Sequence, residues 1–170
     1  SPVLIKEDET IDYNCCRRSP SNFDLFILAF KFLNFSLIND RLDKLKFLKY
    51  SPKLLDNKII ECEILSGSCL LAKASLWKNL GGFDENTYLY FEENILFHKL
   101  RERNLKSAII SDQKVVHLGA QSTKTMISSK LLNAEIESLL YYLKKYRMAS
   151  VWIIIPIKAV WNFRIFVLKI

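Results

Sequence analysis

The chain has 170 residues and a formal net charge of +7, with half of its residues apolar and a quarter charged. That composition excludes a disordered chain, and the length suits one domain with a core of its own. Four cysteines, at 15, 16, 62 and 69, carry no C-x-x-C zinc spacing and read as reduced, buried or half-buried thiols rather than a disulfide framework.

Ser1-Pro2-Val3-Leu4-Ile5 reads as the interior of a longer protein, and residues 1–18 as a strand and loop. Residues 23–35 are apolar and aromatic enough for a buried or interfacial helix. Residues 40–50 place Leu42, Leu45 and Leu48 among lysines, a helical alternation that Ser51-Pro52 ends. Residues 59–65 alternate like a strand. Ser66-Gly67-Ser68 breaks the run as a bulge, a tight bend or a place of close substrate approach, and residues 69–72 resume it. Residues 74–80 fit a short helix with Gly81 as its left-handed C-cap. Residues 92–104 fit a second helix, 107–110 and 114–117 short β runs, and 127–147 a long amphipathic helix. Strands interleaved with helices predict an α/β fold.

Paired acids, Glu92 and Glu93, open the predicted helix at 92. First-turn carboxylates complement the helix dipole and orphan amides, and the same setting holds a carboxylate ionised and aimed, as a general base requires. His117 closes a predicted strand and reads either as a satisfied structural residue or as a metal ligand. Gly119 leaves room beside it, and Gln121, Ser122 and Thr123 add polar groups.

Four motifs carry a resemblance in combination. They are Ser66-Gly67-Ser68-Cys69-Leu70, Gly81-Gly82-Phe83-Asp84-Glu85, Tyr90-Phe91-Glu92-Glu93, and the run from Val115 through His117 and Gly119 to Ser122. In order and gaps they resemble the C-terminal half of the family 2 glycosyltransferases, and within it the bacterial rhamnosyltransferase-like enzymes of polysaccharide assembly. Residues 1–18, with Arg17-Arg18, are similar to the family's connecting segment.

The resemblance implies a partial GT-A catalytic domain over residues 1–125, of nucleotide-diphospho-sugar transferase type, with a helical extension over 126–170. It implies inverting transfer from a nucleotide-sugar donor to a glycan or lipid-linked acceptor. Glu93 would be the catalytic base. Ser66, Gly67, Gly82, Asp84, Glu92 and Lys99 would border the substrate, and His117 would help hold a divalent cation, Mn²⁺ or Mg²⁺. The sequence departs from the family pattern at Glu93, where aspartate is usual, at Ile95, where an acid is usual, and at Lys99, where arginine is usual. It also lacks the Asp-x-Asp region of the donor-binding half. The expectation is therefore an enzyme fragment, inactive alone, that needs its missing half or a homo-oligomer. The rival is a degenerate, non-catalytic homologue serving as a membrane-associated scaffold or partner subunit.

Residues 121–170 carry eight Lys/Arg against two acids, nearly all of the excess charge. Within 151–170, Lys158, Arg164, Lys169 and Pro156 interrupt an apolar run, which argues against a membrane span. Two tryptophans with basic groups fit an interfacial helix on an anionic leaflet, or equally a helix packed on the missing half. Interleaving with Trp, Ile and Val argues against nucleic acid. The expected location is cytoplasmic, peripheral at the inner face of the cell membrane.

Overall fold

The computed structural model describes residues 1–28, 36–119 and 128–168, a mixed α/β arrangement of a small sheet and helices. It divides into two compact units. One comprises Ser1–Ser19, Lys44–Asp84 and Glu92–Gln121; the other comprises Pro20–Asp43, Glu85–Phe91 and Ser122–Ile170.

In the first unit β5 (Ser107–Val116) is the central strand of its sheet. β1 (Pro2–Ile5) lies parallel to it on one side and β3 (Ile59–Cys62) antiparallel on the other. Their apolar residues, Val3, Leu4, Ile60 and Ile109, close a core with Cys15, Cys16, Cys62 and Leu48. The two short β runs read from the sequence are one strand here. The break is nevertheless real in the pairing: Pro2 faces Ile110 and Val3 faces Lys114, so β1 skips Ser111, Asp112 and Gln113.

A second ladder pairs β2 (Cys16–Arg17) with β4 (Ile64–Leu65). It explains why the helix expected over 40–50 is broken. Arg18 N–H donates to the Leu45 carbonyl at 2.6 Å and Lys46 bridges to Arg17, so the backbone at 44–46 pairs sideways; residues 40–43 are helical and α3 (Phe47–Tyr50) is a separate turn. Residues 69–72 do not resume the strand; they run as irregular chain into α4 (Ala74–Leu80), which ends on left-handed Gly81 as the sequence predicts. α5 (Glu92–Glu102) follows.

The cysteine reading is corrected. Cys16 and Cys62 form a disulfide, Cα atoms 5.9 Å apart, across a separation of 46 residues, while Cys15 and Cys69 stay free. Cys15 closes the 3-10 turn Tyr13–Cys15, whereas Cys16 opens β2 and meets Cys62 at the end of β3. Sequence spacing carries no trace of that difference.

The second unit holds α1 (Asn22–Leu28), α2 (Ser36–Asp43), α6 (Ser128–Lys145) and α7 (Val151–Leu168). α1 starts with a reciprocal cap: Ser21 N–H donates to Asp24 at 2.8 Å, and Asp24 N–H donates to Ser21 Oγ at 3.1 Å. Arg41 of α2 then pairs with Asp24 at 2.7 Å. α6 buries Leu139, Tyr142 and Leu143, and α7 buries Ile154, Ile157 and Trp161, both at helical spacing. The opposite stripe of α7, with Trp152, Ile155 and Phe163, is exposed. Among the described residues no helix is long and apolar enough to cross a membrane. The helix expected over 23–35 lies partly outside the described residues.

Replacing Cys16 and Cys62 together by serine should lower the stability of the first unit by about 2–4 kcal/mol, the usual worth of a disulfide. Urea unfolding of oxidised, reduced and double-variant protein checks this; an unchanged midpoint in all three would remove the link from the folded chain.

Candidate active site

Glu93 stands in the first turn of α5, and its carboxylate is fixed from two sides. Gly67 N–H donates to Oε1 at 2.9 Å, and Arg17 Nη2 lies 3.3 Å from Oε2. The side chain is only 17% exposed. Both donors come from the β2–β4 ladder: Arg17 lies on β2, and Gly67 sits in the turn that leaves β4, where Ser66 N–H donates to the Cys15 carbonyl at 3.2 Å. The glycine is there for space. A Cβ at residue 67 would stand 3.2 Å from Glu93 Oε1, tighter than nine in ten real Cβ contacts, so the carboxylate would have to give way by a few tenths of an ångström.

Glu92 is the opposite case. Its Oε2 is buried with no hydrogen-bond partner. Burial pushes its pKa up, and the neighbouring Glu93 charge adds to this, against the pull of its own backbone amide and of Arg17. The two residues before α5, Tyr90 and Phe91, both have left-handed backbones, at φ +67° and +65°. Side-chain-bearing residues in that region cost of order 1 kcal/mol or more each. An orphaned carboxylate behind a strained backbone is a costly arrangement for stability alone.

Beyond the Gly67 turn a relay runs to His117. Ser66 Oγ and Ser68 Oγ are 3.0 Å apart, Ser68 Oγ is 3.0 Å from His117 Nε2, and His117 Nδ1 is 2.9 Å from Asp12 Oδ2. The end of β5 brings the ring here, with His117 N–H donating to the Ile5 carbonyl at 2.7 Å. Asp12 is held in turn by Asn14 N–H at 3.0 Å. Burial works to raise the Asp12 pKa, but the Asn14 amide and His117 outweigh it and hold the carboxyl below the usual range.

A Ser–His–Asp row suggests acyl transfer, yet the amides flanking the hydroxyl are engaged. Gly67 N–H is on Glu93, and Ser68 N–H points to Ser66 Oγ at 3.3 Å. Neither is left to stabilise an oxyanion. The row instead orients an imidazole: a carboxylate on Nδ1 fixes the tautomer and presents Nε2, the arrangement common behind metal-binding histidines. No group of three His, Cys, Asp or Glu able to hold an ion occurs among the described residues.

The other expected residues stand around the glycine pair. Lys99 Nζ donates to the Gly82 carbonyl at 2.9 Å, and Asp84 is buried just after it. Gly82 has φ +62°, and Phe83 meets Trp77 edge-on with centroids 5.0 Å apart. Gln121, Ser122 and Thr123 lie outside the described residues. The sequence reading missed Asp12 and Ser68 as partners of His117, and Arg17 as the partner of Glu93. Asp12 comes 105 residues before its imidazole, a pairing that only the β1–β5 register creates.

Asp12 has a depressed folded pKa, so its contribution to stability is full above the unfolded value near 4 and is lost as pH falls through the folded one. Asp12→Asn should therefore flatten the acid limb of stability below about pH 4, measured by urea unfolding across pH; an unchanged slope would contradict the pairing. Glu92 has the reverse sign. Its raised folded pKa favours folding below the unfolded value and penalises it as pH rises through the folded one. Glu92→Gln should unfold at a higher temperature than wild type at pH 8 and converge with it at pH 4; equal melting at pH 8 would refute this.

No family model matches the chain, and no solved structure matches it. A stretch of 59 residues is 39% identical to the N-acetylglucosaminyl-diphospho-decaprenol L-rhamnosyltransferases of two Mycobacterium tuberculosis strains, CDC 1551 / Oshkosh and ATCC 25618 / H37Rv. That stretch covers 35% of this chain and 19% of each relative, so the chain is, in part, similar to a glycosyltransferase.

Proposed function

We propose that this chain is the acceptor-side, base-bearing portion of an inverting glycosyltransferase of GT-A type. It transfers a sugar from a nucleotide-sugar donor to a glycan or lipid-linked acceptor in surface polysaccharide synthesis. The observation that carries the reading is the Glu93 carboxylate, held at a helix start by the Gly67 amide and Arg17. The similarity to rhamnosyltransferases supports it.

In this mechanism Glu93 takes the proton of the acceptor hydroxyl while that oxygen attacks the anomeric carbon. The new glycosidic C–O bond forms as the bond to the donor diphosphate breaks, and the diphosphate leaves with the electron pair. The Gly67 and Arg17 contacts fix the direction of the Glu93 carboxylate, which makes the base ready before substrate arrives. Glu92 Oε2, with no protein partner, accepts a hydrogen bond from a second acceptor hydroxyl. Lys99 braces the turn at Gly82 that carries Asp84 to the acceptor, and Ser66 borders the pocket.

A divalent cation, Mn²⁺ or Mg²⁺, would when bound neutralise the leaving diphosphate. This chain would offer it His117 Nε2, with Asp12 holding the other ring nitrogen and Ser68 Oγ turning aside. The exposed stripe of Trp152, Ile155 and Phe163, with Lys158 exposed nearby, fits a helix lying on an anionic membrane surface at its cytoplasmic side. That position suits a lipid-linked acceptor.

A non-catalytic scaffold is the second reading. It is favoured by Ile95, fully buried where the resemblance has an acid, and by Lys99, which is held on a backbone carbonyl. Glu93→Gln separates the two. In the protein encoded by the complete open reading frame it should lower kcat for sugar transfer by about 10²- to 10⁴-fold, with an unchanged circular dichroism spectrum. Turnover equal to wild type would take Glu93 out of the chemistry, and absence of transfer in the wild type would favour the scaffold.

A further inference from the structure

Beside the Glu93 site, wholly within the first unit, lies a cavity of about 560 Å³, within the range of small-ligand pockets. Arg17, Arg18, Arg101 and Lys106 line it, against two carboxylates, Glu61 and Glu63. Those carboxylates are occupied. Glu61 pairs with Lys106 at 2.7 and 2.9 Å, and Glu63 accepts the Ser19 amide. Arg17 is shared with Glu93, and its Nε is buried without a partner.

Two guanidiniums are left over. Arg18 stacks on the Phe47 ring, 5.1 Å from its centroid, and has no carboxylate partner among the described residues. The guanidinium of Arg101, in the last turn of α5, makes no hydrogen bond or ion pair among them. Phe47, Phe97 and Leu105 supply apolar walls.

We propose that this cavity binds the phosphate or diphosphate group of a phosphorylated substrate. Arg18 and Arg101 would be its clamp, Arg17 Nε a third donor, and the Phe47–Phe97 wall the seat of the attached apolar or sugar portion. Guanidiniums present planar forks that match phosphate oxygens two at a time, and a stacked one is already oriented for the purpose. Four cations stand against Glu61, Glu63 and Arg17's partner Glu93, which leaves one positive charge in excess, so an anionic ligand answers both that charge and the orphaned Nε.

The cavity and the base share a neighbour, Arg17, which lines the one and pairs with the other. A smaller hollow lined by Glu93, Leu96 and Leu100 shares Glu63, Phe97 and Ser107 with the cavity. A diphosphate held here would put the sugar it carries near Glu93, while Arg17 touches both. The role as a subsite of the transfer centre rests on the function proposed above; the anion binding itself does not.

The test is calorimetric titration of the full 170-residue chain with inorganic pyrophosphate in the presence of a chelator, so that no metal bridges the anion. One saturable site is expected. It should weaken about tenfold or more in Arg18→Ala/Arg101→Ala, given the usual strength of charge-assisted hydrogen bonds, and persist in Lys144→Ala. Arg101→Ala alone should weaken it severalfold with an unchanged circular dichroism spectrum.

Absence of saturable binding, equal affinity in the double variant, or an equal loss in Lys144→Ala would each overturn the proposal. Displacement of pyrophosphate by uridine diphosphate would identify the donor as the source of the phosphate. Displacement by phosphatidylcholine vesicles doped with a polyprenyl diphosphate would identify a lipid-linked acceptor. Displacement by neither would overturn the substrate assignment. Binding that behaves as expected in a protein whose Glu93→Gln variant still transfers sugar would leave the anion site standing and remove only the transfer mechanism.

Discussion

The contact on which the site depends is the pair of donors to one carboxylate: a backbone amide at Gly67 and a guanidinium at Arg17, both on Glu93. A carboxylate left to water at a helix start would wander among rotamers. Here the amide fixes one oxygen and the cation the other, and charge-assisted bonds of this type are among the stronger ones proteins make. The hold is built covalently as well as by pairing. Arg17 follows Cys16 in β2, and the disulfide to Cys62 ties that strand to the sheet edge. Thus the sheet, the short ladder and the helix start converge on a single side chain.

Around this fixed point the molecule leaves other groups unsatisfied. Glu92 Oε2 and Arg17 Nε are both buried without partners, and Tyr90 and Phe91 are held in left-handed backbones just before the helix. Folding alone gives no reason for any of these, since each costs stability. Concentrated at one helix start and its approach, they mark where this fold gives up stability.

Much of this was legible in the sequence, and the rest was hidden for identifiable reasons. The α5 start with its paired acids, the Gly81 cap and the helices near 74–80 and 127–147 follow from local signals: caps, dipole complement and 3.6-residue spacing. Glu93, Gly67 and His117 stood out because glycines are few and the acids are paired. Non-local pairings were not legible. The Cys16–Cys62 link, the Asp12–His117 bond and the Arg17–Glu93 contact each join distant parts of the chain through strand register. The break in the 40–50 helix has the same origin. Leucine periodicity favoured helix there, and backbone pairing with Arg18 and Arg17 overrode it.

The three residues that β1 passes over in β5 have a wider meaning. Side chains alternate across a strand, so chain length between the β3-paired and β1-paired portions decides which face every later residue presents. Evolution could lengthen or shorten that exposed stretch by two without turning the imidazole away from its carboxylate, whereas a change of one would reverse it. Insertions and deletions in homologues of this chain should accordingly obey parity at Ser111–Gln113, a rule of counting imposed by geometry rather than by the chemistry of any residue in the gap.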